Sequence, residues 1–133
     1  MTRRVLCLSF TLIAATSLHA ADRLQTGKWE CKITTNGAAA HTITRCISPE
    51  EAASVNGDAK SARALAAKHA RGCVLQAYDI KGDTINIQMD CAGTILNNTT
   101  TYHGDTSLGT TKSTTAGKQT TTVVEAHRLG ACS

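Results

Sequence analysis

The distribution of cysteine limits what this chain can become more than any other feature does. Cys31, Cys46, Cys73, Cys91 and Cys132 are spread along it, and no two stand close enough for a Cys-x-x-Cys. Neither a zinc ribbon nor a thioredoxin-type dithiol is therefore available, and disulfides are the chemistry left to them. Large side chains are scarce: aromatic residues make up 3% of the sequence, and Phe10, Trp29, Tyr78 and Tyr102 are the whole set. A single domain of this length has only a marginal core of its own, so covalent links are the expected reinforcement wherever disulfides persist.

The first residues supply that compartment. Arg3 and Arg4 form a positive head, residues 5–15 an apolar run, and Ala20 and Ala21 small residues at which to cleave, the three-part order of a secretory signal. The apolar run is too short to span a membrane, and no later segment is apolar enough to stop transfer. Cys7 lies inside the run and is not a lipoprotein acceptor. The expectation is a signal peptide over residues 1–21 and a single domain over 22–133, periplasmic and without a transmembrane anchor. Loss of Arg3 and Arg4 takes the formal charge from +4 to +2, which points to no nucleic-acid partner.

Two segments alternate cleanly between apolar and polar. In 28–34, Trp29, Cys31 and Ile33 share one face; in 84–91, Ile85, Ile87, Met89 and Cys91 do. Period-two patterns with one wet side predict half-buried antiparallel strands. A third strand over 74–80 joins the second through Lys81-Gly82-Asp83, a hairpin link. Beyond Gly93 the chain turns threonine-rich, over 94–103, 106–115 and 119–129, with Gly104-Asp105 and Ala116-Gly117-Lys118 as turns. β-branched threonine suits a pleated surface, and low-complexity disorder over 97–122 is the alternative. The predicted fold is mainly β, an antiparallel meander forming an open or closed barrel-like sheet.

A helical insert over 48–71 follows the second strand. Ser48-Pro49-Glu50-Glu51 is a capping box with proline at the first helical position. A second helix over 58–70 sets Lys60, Arg63, Lys68 and Arg71 against Ala62, Leu65 and Ala66, a solvated face over a small apolar stripe.

Five cysteines leave one unpaired. Cys31, on the face of Trp29 and Ile33, is the expected free thiol, a small apolar filler. Of the three pairings open to the rest, Cys46–Cys73 is favoured because it clamps the base of the helical insert, with Cys91–Cys132 tying down the C-terminus.

Catalytic signatures are absent from the sequence: it holds no Gly-x-Ser-x-Gly elbow, phosphate loop, His-Glu-x-x-His or dinucleotide fingerprint. His41, His103 and His127 have no ligand spacing between them. Asn97-Asn98-Thr99-Thr100 contains two overlapping glycosylation sequons that matter only in a eukaryotic host. No catalytic residue, metal or cofactor is expected.

Several of these landmarks together resemble the exported bacterial family catalogued as domain of unknown function 3617. They are Gly27-Lys28-Trp29-Glu30, Cys46-Ile47-Ser48-Pro49-Glu50-Glu51, Gly72-Cys73, Gly82-Asp83-Thr84-Ile85, Cys91 with Gly93, and the ending Arg128-Leu129-Gly130-Ala131-Cys132. Cys31 departs from the usual apolar residue, Ala131 from an acidic one, and Thr110 to Thr115 replace Met-rich late strands. The resemblance implies a periplasmic β domain with two disulfides, and no activity. The functional expectation is a non-enzymatic module for a small amphipathic ligand or an envelope partner. The alternatives are a thiol- or metal-dependent enzyme using Cys31 with a histidine, and an assembly factor dimerised through Cys31.

Overall fold

The alternating and threonine-rich segments all become strands. The computed structural model describes residues 22–133; the expected signal peptide lies outside the described residues. The strands are β1 (Gly27–Thr35), β2 (His41–Ile47), β3 (Val74–Lys81), β4 (Thr84–Cys91), β5 (Thr94–Tyr102), β6 (Thr106–Thr115) and β7 (Lys118–Gly130). They form one antiparallel sheet in the order β2-β1-β7-β6-β5-β4-β3. Strands β3 to β7 are a meander, and the β1–β2 hairpin joins it along β7. The threonine-rich strands are ordered by their ladders and by hydroxyl pairs across them, Thr84–Thr101 at 2.9 Å and Thr94–Thr115 at 2.8 Å. Such cross-strand pairs stabilise a sheet that lacks large apolar groups.

Tight turns hold the meander in register. Ala92-Gly93 and Ala116-Gly117 link β4 to β5 and β6 to β7, with φ of 52° and 90°, and of 48° and 77°. Positive φ at both central residues is the turn whose twist matches that of paired strands.

Helices α1 (Pro49–Asn56) and α2 (Ala59–His69) connect β2 to β3. Ser48 caps α1 by accepting from the Glu51 amide, and Asp58 caps α2 by accepting from Lys60 and Ser61. These amide donors and the Ser61 hydroxyl hold the Asp58 carboxyl below its usual range. Glu50 at the start of α1 meets Lys68 and His69 at the end of α2, at 3.2 and 3.3 Å, which fixes the helices as an antiparallel pair.

β2 and β3 are the two edges of the sheet, and they are not hydrogen-bonded to each other. In a flat sheet of seven strands these edges would lie about 29 Å apart. Here one cavity is lined from both edges and from every strand between them, so the sheet curls into an open half-barrel. The helical pair fills the gap. α1 is tied to β2 by the Arg45–Glu51 ion pair and to β3 by the Tyr78 hydroxyl, which donates to the Ser54 carbonyl at 2.7 Å.

The disulfides differ from the favoured pairing. Cys46 is bonded to Cys132 and Cys73 to Cys91. The reason is strand order. Cys46 lies opposite Lys28 on β1, and Lys28 lies opposite Gly130 on β7, so the end of the chain arrives beside Cys46. Cys73 reaches Cys91 through a bulge. The β3–β4 ladder pairs Ala77 with Gln88 but Leu75 with Met89, leaving Gln76 as the extra residue. An unbulged hairpin would have placed Val74 opposite Cys91. Both bridges are within the chain, and among the described residues Cys31 carries the free thiol, at 8% exposure. A disulfide-linked dimer through Cys31 is therefore not the arrangement found: that thiol faces the inside of the half-barrel.

Candidate functional site

The concave face has a sealed end and an open middle. At the sealed end Trp29 (1% exposed) packs with Leu24, Ile47 and Ala52, and its indole N–H donates to the Gln25 carbonyl at 2.9 Å. The N-terminal segment closes this end like a strap. Leu24 exchanges hydrogen bonds with the Asn56 side chain at 2.8 and 2.7 Å, and Arg23 donates to the carbonyls of Val55 and Gly82. Gln25 and Gly104 join the strap to the loop after β5. One short stretch thus ties α1 to two hairpin ends.

Beyond this plug the half-barrel encloses a cavity of about 430 Å³. That volume lies in the range of small-molecule sites. Its aliphatic wall comes from alternating positions: Cys31 and Ile33 on β1, Ile85 and Ile87 on β4, Val124 and Ala126 on β7. Ile43 of β2, 42% exposed, stands at the rim.

The polar lining is concentrated on β5. Asn98, Thr100 and Tyr102 project inward at every second residue. Thr100 donates to the Asn98 side-chain oxygen at 2.9 Å, and the Asn98 amide nitrogen donates to Thr111 of β6, also at 2.9 Å. Gly109 faces Thr100 across the ladder. A Cβ at Gly109 would stand 2.8 Å from the Thr100 hydroxyl oxygen, so the missing side chain is what lets Thr100 lie over β6 there. Burial pushes the Tyr78 phenol up to about 12, assisted by neighbouring Tyr102 and opposed by Arg23. Tyr102 is raised by burial too, against the pull of Thr100 and Arg45. Both phenols stay protonated donors throughout the physiological range.

The histidines lie elsewhere. His103 and His127 open onto a shallow depression of the convex face with Glu30 and Glu125, and His127 stands 3.7 Å from Glu30. His41 is exposed on edge strand β2, opposite Ile33. Among the described residues, no histidine lines the cavity that Cys31 lines, and no three metal-ligating side chains converge. By register His41 lies on the same face as Cys31, two positions from its partner Ile43, and it does not line the cavity. Of the residues singled out in the sequence, it gathers Trp29, Cys31, Ile85 and Ile87 around the cavity. The polar floor and the Arg45–Glu51 rim were missed. The signal for the floor was the two-residue spacing of Asn98, Thr100 and Tyr102, hidden within a run of threonines.

A family model described as "Protein of unknown function (DUF3617)" matches residues 24–132. The chain belongs to that family. The match runs from Leu24 in the strap to Cys132 in the bridge to Cys46, so it takes in every strand and both helices of the described residues. Its landmark residues are placed structurally: Trp29 seals the barrel end, Ser48 caps α1, and Cys46, Cys73, Cys91 and Cys132 are all bridged. No curated protein and no solved structure matches the chain. No helix among the described residues is long and apolar enough to cross a membrane.

Proposed function

We propose that this DUF3617 protein is an exported, periplasmic binding module that takes a small amphipathic ligand into its half-barrel and performs no covalent chemistry on it. The observation that carries the reading is the cavity itself: one aliphatic wall, one polar strand, and the only free thiol among the described residues with no histidine in the lining. Sites for small molecules are largely apolar with a few placed polar groups. The two intramolecular disulfides support an oxidising compartment, and the signal-like N-terminus supplies the route there.

The cavity contains its own reporters, Trp29 and Cys31. Trp29 is the one tryptophan of the chain. Native mass spectrometry of protein purified from its own periplasm is expected to show a bound small molecule. Ligand binding is expected to shift Trp29 emission and slow alkylation of Cys31. A protein that is empty, gains no partner on crosslinking, and shows neither change with any amphiphile would refute the reading.

A further inference from the structure

The charges of the cavity say more about its ligand than its volume does. Only Arg45 and Glu51 among the lining residues carry charge, and they are paired with each other at the rim, between β2 and α1. Deeper in, the polar groups are neutral: the Asn98 amide, the Thr100 hydroxyl, the Ser107 hydroxyl and the Tyr102 phenol. An anionic head placed there would lose its hydration and find no cation that is not already matched. A cationic head would find no unmatched carboxylate. Burying an unpaired charge costs far more than burying a hydroxyl or carbonyl that finds a hydrogen-bond partner. Gly109 is itself buried under the Thr100 side chain, so what a head would meet on this side is the Thr100 hydroxyl and the Asn98 amide beside it.

We infer that the ligand is an uncharged amphiphile, bearing a hydroxyl or ester head that sits against Thr100 and Asn98, with its hydrocarbon part along Ile33, Ile85 and Val124. This rests on the binding reading above and narrows it to one chemical class. The Arg45–Glu51 pair then belongs to the mouth: it ties α1 to β2 and leaves the rim without net charge.

The test uses the intact oxidised protein and four probes with the same hydrocarbon chain, each below its micelle threshold. These are monolaurin, dodecanol, dodecanoate and dodecyltrimethylammonium, followed by Trp29 emission and by protection of Cys31 from alkylation. Monolaurin and dodecanol are expected to bind, with both charged probes weaker by at least about tenfold. Thr100→Val keeps the shape and removes the hydroxyl, and is expected to weaken monolaurin about fivefold. Circular dichroism checks that this variant is folded. Dodecanoate or the ammonium probe binding as tightly as monolaurin overturns the neutral-head assignment and leaves the binding reading standing. Unchanged monolaurin affinity in folded Thr100→Val overturns the placement of the head. Silence from all four probes overturns the inference and, with an empty native protein, the binding reading as well.

Discussion

Gly109 is the residue on which the position of Thr100 in the floor depends. It lies opposite Thr100 on β5 and Val124 on β7, where any side chain would collide with Thr100. Gly109→Val is expected to abolish protection of Cys31 by ligand and to cost about 1–3 kcal/mol, read by urea unfolding, because it overpacks a fitted site. The two tyrosines give a second residue-scale outcome. An exposed phenol ionises near pH 10, whereas Tyr78 is held near 12 and Tyr102 is also raised, each chiefly by burial. Their effect on stability is fully present below pH 10. It is lost as pH rises from there toward 12, since the unfolded chain releases these protons first. A spectrophotometric titration is expected to show less tyrosinate at pH 10 in the native protein than in the unfolded one. Trp29, Cys31, Ile85 and Ile87 were legible as an inward set from alternation alone. Gly109 was not: a glycine among threonines looks the same whether it serves a turn or makes room for a neighbouring side chain.

At the scale of elements, local chemistry predicted well because each signal acts within a few residues. The Ser48 capping box starts α1, Asp58 caps α2, and Gly82, Gly93 and Gly117 take positive φ in the turns. Nature left one improvement unused. Ala116 holds φ of 48° immediately before Gly117, a conformation that asparagine tolerates far better than alanine. Ala116→Asn is therefore expected to stabilise the protein by about 0.5–1 kcal/mol, visible as a higher urea midpoint with an unchanged slope. What local reading missed was the bulge at Gln76. Nothing in Leu75-Gln76-Ala77 announces an extra residue, yet it moves Cys73 into line with Cys91. Helix α2 shows the opposite case: its alanine stripe was legible, and Ala62 is completely buried against its surroundings.

For the whole molecule, the decisive contact is β1 beside β7, the first strand against the last. It turns a meander and a hairpin into one sheet, and with the helical pair between the edge strands it makes the half-barrel. The bridges secure that arrangement unequally. Cys46–Cys132 spans 86 residues and Cys73–Cys91 spans 18. Loop-closure entropy then assigns about 4.6 kcal/mol to the first and about 3.2 kcal/mol to the second. The Cys46→Ala/Cys132→Ala protein is expected to unfold at lower urea than Cys73→Ala/Cys91→Ala, with the gap near 1.4 kcal/mol. An equal or reversed ranking would show that the long bridge does not restrain the unfolded chain as its span requires.

By itself, the sequence determined the strands, the helical insert, the turns and the inward side of β1 and β4. Each follows from side-chain period, from caps, or from a residue that accepts positive φ. Tertiary structure alone decided the strand order, the cysteine partners and the neutral floor of the cavity. These depend on which distant segments hydrogen-bond side by side. Backbone amides and carbonyls, the same at nearly every residue, do not write that choice into the local pattern of side chains.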